Sequence, residues 1–349
     1  MSFEKNEVSG ESIINRRNFM GLALASGAAF TLAACSGEST STSSSTSGGS
    51  GETRKVQDVD EEEVNVPVKP QRVVTLSEPT LDAALALGIS PVGTVSGRGQ
   101  STVPNYLKEK AKDVPLIGTV AQVNYEKIDS LEPDLILVDY TGVDKHSDAY
   151  STLTKIAPVV YCGYAGGDWH FNFRNVADAL NLKDKGEEFI KNYEALAAKT
   201  KEELAPKYGD KTFSIVRWAG NGPALILKEL PAGQVLEDLG LKRPPAQDRK
   251  GQGHSDPVSL ENLANIDADY MFLGTLGGAS QKNPNAQGNA GLDGAEDALK
   301  KAKETSGFTE LKAYKENHVK LVDGSKWTST GGPLLMQGII DDIKKDLLG

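Results

Sequence analysis

Arginine and aromatic side chains recur directly after short apolar runs in this sequence, where a ligand site is expected. Ligands of open parallel sheets bind beyond the carboxyl ends of the strands, so side chains there are candidates for one shared cleft. Aromatic faces pack against a bulky ligand, and guanidinium groups donate paired hydrogen bonds to its oxygens. The set predicts a site for a bulky, oxygen-rich anion; ordinary surface roles for the single residues are the alternative. The candidates are Arg98, Tyr140, Trp169, Arg217, Trp218 and Trp327, together with Arg249 and His254 in a glycine-rich loop.

All three tryptophans of the chain belong to this set. A chance distribution would place some of them in helices or in the middle of strands. We therefore expect Trp169, Trp218 and Trp327 to face the cleft and to respond together when a ligand binds.

The elements that must position these side chains include a pattern that occurs twice, at residues 125–137 and 260–272. In each copy Glu126 or Glu261 is followed by two apolar residues three positions apart, then by an Asp eight positions after the Glu, then by an apolar run. Apolar residues three apart share one face of a short helix, and the short run after the Asp is typical of a strand buried on both faces. The repeat predicts two similar α/β lobes, with chance similarity of two amphipathic helices as the alternative.

Between the two copies, apolar residues recur at steps of three and four over residues 187–207. This spacing predicts one long amphipathic helix that connects the lobes, the alternative being a helix within one lobe. The fold class is therefore α/β: two similar lobes with mostly parallel sheets, joined by one long rigid helix, with a ligand cleft between them. Ordered structure is expected from about Arg72, and residues 277–294 are expected to form a mobile loop. The predicted divisions are 1–35, a signal peptide; 36–69, a disordered tether and lead-in; 70–172, the first lobe; 173–208, the connector; and 209–349, the second lobe.

The sequence of the N-terminus indicates an export signal. Arg16 and Arg17 precede a mildly apolar stretch that is too short to span a bilayer and that ends in the sequence LAAC at residues 32–35. This ending resembles a bacterial lipobox, which predicts that Cys35 is acylated and anchors the protein to the outer face of the cytoplasmic membrane. Both twin-arginine and general secretory export remain open, as does an uncleaved membrane anchor. Residues 36–51 are almost wholly Ser, Thr and Gly, typical of a flexible tether.

Composition excludes several function classes. The net charge of −10, without a basic run, argues against nucleic-acid binding. With only four His and no nucleophile elbow, zinc-protease motif or P-loop, an enzyme is the less favoured class, and direct metal binding is not expected. Cys35 and Cys162 form no CxxC pair, and Cys162 is expected to be a small buried hydrophobe.

From about residue 70 to its end, the chain resembles the iron-siderophore and vitamin B12 binding proteins of ABC importers. The resemblance rests on an ordered set of segments rather than on one motif. The segments are residues 72–93, 126–138 and 155–159, and Trp327 with the following Gly331, Gly332 and Pro333.

The resemblance implies a monomer without a cofactor that captures a ferric siderophore and delivers it to a two-subunit permease. It implies that Tyr140 and Trp327 line the cleft and that Glu126 and Glu261 meet arginines of the permease; helix capping is the alternative role for the two Glu. An Arg that some hydroxamate binders carry is replaced here by residues 119–121, Thr-Val-Ala, which leaves the siderophore class open. A haem-binding version of the fold is the second reading, with Tyr140 or His170 opposite His254 as axial ligands.

Overall fold

The computed structural model describes residues 51–120, 122–220, 222–253, 255–276 and 288–349. The export signal, Cys35 and most of the tether lie outside these residues, as does His254. Residues 48–349 form one compact unit. Within the described ranges, none of the helices combines the length and the apolar character needed to cross a bilayer.

The first lobe is built on a six-stranded sheet. Its strands are β3 (Val73–Thr75), β4 (Gly93–Ser96), β5 (Leu116–Thr119), β6 (Gln122–Val123), β7 (Leu135–Val138) and β8 (Val159–Tyr161). Their order in the sheet is β6-β5-β4-β3-β7-β8, parallel except for the β5–β6 pair. Strand β7, between β3 and β8, is buried on both faces, as its apolar run predicts. The helices are α1 (Glu78–Ala86), α2 (Tyr125–Ser130), α3 (Asp148–Leu153) and α4 (Trp169–Ala179).

Local signals in the sequence fix the ends of α1. The Ser77 hydroxyl accepts a hydrogen bond from the backbone N–H of Thr80, and Pro79 occupies the first turn. The chain leaves the helix through Gly88, whose φ of +80° lies in the left-handed region that glycine tolerates. This places Glu78, in the first turn, at the carboxyl edge of the sheet.

The predicted connector is a single helix, α5 (Lys183–Tyr208), and it packs against helices of both lobes. At 26 residues it is about 39 Å long. Its buried side chains Tyr193, Ala197, Thr200 and Leu204 follow the predicted periodicity. The structure thus confirms the connecting helix.

The second lobe is built on a five-stranded sheet. Its strands are β9 (Phe213–Ala219), β10 (Gly222–Ile226), β11 (Ser255–Pro257), β12 (Tyr270–Gly274) and β13 (Val319–Leu321). Their order in the sheet is β11-β10-β9-β12-β13. Strands β9, β12 and β13 are parallel, whereas β10 runs antiparallel to both of its neighbours. The α-helices are α6 (Pro231–Asp238), α7 (Leu292–Glu304), α8 (Lys312–Lys315), α9 (Gly324–Trp327) and α10 (Pro333–Leu347), and a 3-10 helix spans Leu260–Ile266.

Three boundary expectations were wrong. Ordered structure begins before Arg72, in a hairpin of β1 (Thr53–Gln57) and β2 (Glu63–Pro67) whose mostly polar strands bury little except Val56 and Val66. The expected boundary after residue 172 falls inside α4. Residues 292–294, expected to be loop, begin α7, and the remainder of that predicted loop lies largely outside the described residues.

The C-terminal helix α10 joins the two lobes a second time. The buried Asp82 carboxylate of α1 accepts hydrogen bonds from the backbone N–H groups of Leu334 and Leu335 at 2.8 and 2.9 Å. A Cβ atom on Gly332 would lie 2.9 Å from the same carboxylate, so glycine is needed for this approach. The contact seats the loop before α10 against the first lobe, where it closes one side of the cleft.

Candidate ligand-binding cleft

A recess between the lobes brings together one arginine from each sheet. Arg98 follows β4 and Arg217 lies near the end of β9. We call this space the cationic recess. It is lined by Arg98, Thr141, Arg217, Leu230, Gly253, Leu276, Thr328, Ser329 and Thr330.

Arg98 is held by a buried carboxylate. Its Nη1 lies 2.5 Å from Glu78 Oε2, and its backbone N–H donates to Oε1 at 2.7 Å. The same carboxylate accepts from the hydroxyls of Ser329 and Thr330 at 3.3 and 3.4 Å. Glu78 therefore neutralises Arg98 and ties the first lobe to the loop before α10.

Arg217 has no such partner: within the described part of the chain, no Asp or Glu forms an ion pair with it. Its Nη1 donates to the carbonyl oxygen of Thr328 at 3.3 Å, and its Nη2 donates to the hydroxyl of Ser255. Burial, together with the nearby positive charge of Arg98, lowers the pKa of the Arg217 guanidinium. Arg217 is partly buried, and a partly buried charge without a counter-ion is costly, so the recess favours an anion.

Away from the arginines the cleft continues past two acidic side chains, Glu229 and Asp139. A narrow passage shares Thr141 and Thr330 with the cationic recess. It also shares Pro79, Trp169, Asn172 and Gly331 with a small inner cavity. The inner cavity is lined mainly by apolar side chains and glycine backbone, together with Asp139 and Cys162. Burial raises the pKa of Asp139.

Three of the eight candidates line this cleft: Arg98, Arg217 and Trp169. Trp169 does so from the first turn of α4 rather than from a loop, capped by the Asp168 side chain. Its indole ring is 3% exposed and stacks on His170 with ring centroids 4.0 Å apart.

Two tryptophans lie in the core instead of the cleft. Trp218, 2% exposed, packs edge-on against Phe308 with ring centroids 5.5 Å apart. Trp327, fully buried, stacks on Phe272 at 4.3 Å and donates from its indole N–H to Asp342 at 2.8 Å. The expectation that all three tryptophans face one cleft was therefore wrong, because the side chains of Trp218 and Trp327 turn into the second lobe.

Arg249 and Tyr140 make other contacts. Arg249 pairs with Asp256 beside a separate surface groove of the second lobe. The Tyr140 hydroxyl donates to Asp60 of the hairpin at 2.6 Å, and its neighbour Thr141, not Tyr140, lines the recess. His254 and Cys35 lie outside the described residues.

The candidate haem ligands that the structure describes differ: Tyr140 is engaged elsewhere, whereas the Nε2 atom of His170 is buried and has no hydrogen-bond partner among the described residues. Partial burial and the bond to Asp60 raise the pKa of Tyr140 to about 12, so its hydroxyl stays protonated at neutral pH. His170 is bonded through Nδ1 to Asp168 at 2.8 Å. Among the described residues no group of three or more His, Cys, Asp or Glu side chains is arranged to hold a metal ion. Cys162 is buried, as expected, and burial raises the pKa of its thiol.

Both docking candidates are exposed. Glu126 lies in the first turn of α2, and Glu261 lies in the first turn of the 3-10 helix. Neither carboxylate forms an ion pair with any other described residue. Both are thus available to a partner.

Sequence reasoning missed the hydroxyl run Thr328, Ser329 and Thr330, and it missed Asn172 and Gln234. The run follows β13 and α9 and precedes Gly331-Gly332, so a Ser/Thr cluster next to paired glycines was the available signal. Asn172 and Gln234 sit inside helices, where spacing along the chain gives no sign of a cleft.

Comparisons with known proteins agree on one family. The periplasmic binding protein family model matches residues 73–325. The probable siderophore-binding lipoprotein YfiY of Bacillus subtilis is 32% identical over 91% of this chain and 94% of its own length. The Fe(3+)-citrate-binding protein YfmC of Bacillus subtilis is 31% identical over 64% and 70%. Staphylococcus aureus SirA, solved in complex with staphyloferrin B, superposes with a TM-score of 0.71 at 26% identity, over 85% of this chain and 99% of SirA. The chain belongs to the periplasmic binding protein family, whose members serve transport by binding substrates.

Proposed function

We propose that this protein captures an anionic ferric siderophore in the cleft between its lobes and delivers it to the permease of an ABC importer. The names of its relatives support the ligand class, and the two-lobed fold with a rigid connector suits a cleft that closes only slightly. The chemistry of the cleft supports the charge of the ligand.

The observation that carries the proposal is the uncompensated guanidinium of Arg217. The cationic recess holds two arginines, and its one ion-paired carboxylate, Glu78, belongs to Arg98. A positive recess is unexpected in a chain of net charge −10, unless the ligand supplies the missing negative charge. The hydroxyl oxygens of Thr328, Ser329 and Thr330 also line the recess and can accept hydrogen bonds from a ligand.

Titration with ferric citrate tests this role. Arg217→Gln should weaken binding at least tenfold, a loss of about 1.4 kcal/mol or more. Arg249→Gln is the matched control, because it removes a paired arginine outside the recess and should leave affinity within twofold. Equal affinity of wild type and both variants would place the anion elsewhere.

Delivery is proposed to depend on Glu126 and Glu261. Glu126 on the first lobe and Glu261 on the second are both exposed and hold the same position in the repeat, and arginine–carboxylate pairs are directional. Two such pairs, one on each subunit of a permease, would fix the orientation of the cleft over the pore. Surface pairs of this kind are weakened by salt, which suits a transient encounter.

Attachment to the outer face of the cytoplasmic membrane is proposed to run through an acyl group on Cys35. In Cys35→Ala the protein should appear in the soluble fraction or the medium, and membrane fractionation with immunoblotting measures this. Wild-type membrane association of that variant would contradict lipidation.

Export is proposed to use the twin-arginine route, with the mature protein acting as a monomer. Replacing Arg16 and Arg17 together by Lys should block export by that route and leave the precursor in the cytoplasm. Normal export of the double variant would instead assign the general secretory route. Sedimentation of the mature protein with and without ferric siderophore checks the monomer.

A further inference from the structure

Two short loops meet across the cleft between the lobes. The first-lobe loop is residues 163–167, between β8 and α4, and the second-lobe loop is residues 251–253, before β11. Gly166 and Gly253 both lie in the left-handed region, with φ of +78° and +82°. Their backbones are in contact, since a Cβ atom on Gly166 would lie 3.0 Å from the Cα atom of Gly253. We call the two loops together the glycine latch.

The approach is so close that Gly253 has no room for a side chain. A Cβ atom there would lie 2.7 Å from the carbonyl oxygen of Ala165, a distance that real Cβ atoms essentially never show. The second-lobe loop is held in this position by the buried Glu229 carboxylate, which accepts from the backbone N–H groups of Gly251 and Gly253 at 2.6 and 3.3 Å. Closure of the latch therefore requires glycine at position 253.

The latch is a weaker tie between the lobes than the contact in front of α10. There, the buried carboxylates of Asp82 and Glu78 accept hydrogen bonds from four residues between positions 329 and 335. At the latch, the Gln234 side chain of α6 donates to the carbonyl oxygen of Gly167 at 3.2 Å, a bond between neutral groups. Hydrogen bonds to a charged group are the stronger kind, so the lobes should part first at the latch.

The latch also lies between the interior of the cleft and the surface. Five residues line both the narrow passage inside the cleft and a groove on the surface: Gly166, Gly167, Trp169, Glu229 and Gln234. With the two loops in contact, the passage, the inner cavity and the cationic recess are each too small for a ferric siderophore. A bulky ligand can reach Arg98 and Arg217 only after the lobes separate.

We propose that the glycine latch is the entrance to the cleft. The structure shows it closed, and a ligand enters from the surface groove when the two loops part. This inference rests on the proposed function only in naming a ferric siderophore as the ligand that enters. Opening of the latch itself can be measured without any ligand.

Acrylamide quenching of tryptophan fluorescence measures that opening. Trp169 lines the passage beside the latch, whereas Trp218 and Trp327 are buried in the core. Gly253→Ala places a methyl group against Ala165, so it should open the latch and raise the quenching constant at least twofold. Trp169→Phe in the same protein should remove that increase, because the two remaining tryptophans stay buried.

Gly88→Ala is the matched control. Gly88 has nearly the same φ, +80°, but a Cβ atom there would meet nothing within 4 Å, so this variant carries the backbone strain without a clash across the cleft. Its quenching should equal that of wild type. Gln234→Ala removes the hydrogen bond to Gly167 without a change of backbone, and it should raise quenching even if Gly253→Ala fails to fold. Circular dichroism checks the folding of each variant.

Stopped-flow binding of ferric citrate connects the latch with entry. Gly253→Ala should bind at least threefold faster than wild type, and Gly88→Ala at the wild-type rate. Unchanged quenching in both latch variants, an equal rise in Gly88→Ala, or a rise without faster binding would overturn the entrance. If Arg217→Gln still weakened ferric citrate in that case, the proposed function would stand without the latch. If quenching rose as expected but wild type bound no ferric chelate, the latch would stand and the proposed function would fail.

Discussion

The two copies of the repeated pattern, residues 125–137 and 260–272, make the same kind of Asp contact to a neighbouring strand but differ in the type of helix they form. Asp134 accepts hydrogen bonds from the backbone N–H groups of Gln71 and Arg72, at the entry to β3. Asp269 accepts from the N–H and the hydroxyl of Thr212, at the entry to β9. In both lobes the Asp thus ties the repeat to the start of the neighbouring parallel strand.

The helices differ in regularity. In the first copy α2 is capped by Asn124, whose side chain accepts from Lys127 N–H at 2.9 Å. The second copy is a 3-10 helix with a non-helical residue at Asn262 and no side-chain hydrogen bond from Ser259 at its cap. Both copies have the Asp contact to the start of the neighbouring strand and an exposed Glu, but only the first copy has a capped α-helix. Stabilisation of a helix end therefore does not account for both Glu126 and Glu261.

The largest expected effect comes from removing both exposed carboxylates. Glu126→Ala with Glu261→Ala should reduce siderophore-dependent iron uptake by cells at least tenfold, and more than either single variant, because both anchors to the permease are lost. Affinity for ferric siderophore in solution should stay within about twofold, a change under about 0.5 kcal/mol. Uptake of radioactive iron, with calorimetric titration of the purified variants, measures the two quantities.

A matched double variant controls for the loss of surface charge. Glu109→Ala with Glu304→Ala removes two exposed carboxylates, one from each lobe, outside the repeated pattern. It should transport normally. Equal uptake by the two double variants would contradict a role for Glu126 and Glu261 in docking to the permease.

The anchoring Asp residues should differ in how much they stabilise the fold. Asp269→Ala removes the acceptor of two Thr212 groups and the ion pair with Lys312 at 2.6 Å, so it should cost about 2 kcal/mol of unfolding free energy. Asp134→Ala frees two N–H groups of exposed residues that water can reach, and about 1 kcal/mol is expected. Urea denaturation checks the order, and a costlier Asp134→Ala would contradict it.

The contribution of Asp269 to the stability of the fold should be lost at acidic pH. Burial alone would raise the pKa of Asp269, but the ion pair with Lys312 and the bonds from Thr212 outweigh it and lower the pKa to about 2. The folded pKa is below the unfolded value of about 4, so this contribution is present above pH 4 and is lost as the pH falls toward 2. It amounts to about 2 kcal/mol.

Unfolding free energies of wild type, Asp269→Asn and Lys312→Met across this window test that sign. The unfolding free energy of Asp269→Asn and of Lys312→Met should each depend less on pH between 4 and 2 than that of wild type. Identical acid profiles of all three proteins would show that the anchor does not titrate as described.

The smallest difference in stability is expected between substitutions of the two residues that precede the helices of the repeat, Asn124 and Ser259. Asn124→Ala should cost about 1 kcal/mol, because the N–H of Lys127 loses its acceptor. Ser259→Ala should fall within about 0.5 kcal/mol of wild type, since its side chain does not cap the 3-10 helix. Thermal denaturation of both variants measures the pair, and equal losses would mean that the two helix starts are equivalent after all.

Sequence periodicity predicted the framework because each signal was local. Ser77, Pro79 and Gly88 fixed the ends of α1, and the spacing of Tyr193, Ala197, Thr200 and Leu204 fixed the buried face of α5. The polar hairpin before Arg72 escaped prediction because its strands bury few apolar side chains and are held by distant contacts. One such contact is the ion pair of Arg54 with Asp178 at 2.8 Å.

The sequence predicted cleft residues correctly only where the position of a residue along a strand also determines which way its side chain points. Arg98 and Arg217 lie at or beyond strand ends that face the other lobe, and they meet in the cationic recess. Trp327 also follows a strand, but α9, capped by Asp323, turns the ring back onto Phe272. That reversal depends on tertiary packing, and so does the meeting of Asn172 with Trp169 in the inner cavity.

The absorption spectrum of the protein purified from iron-limited cells tests the central claim most directly. Capture of a ferric siderophore predicts a broad visible charge-transfer band that accompanies about one iron per chain and weakens in Arg217→Gln. A Soret band in its place would identify haem as the ligand and would contradict the account.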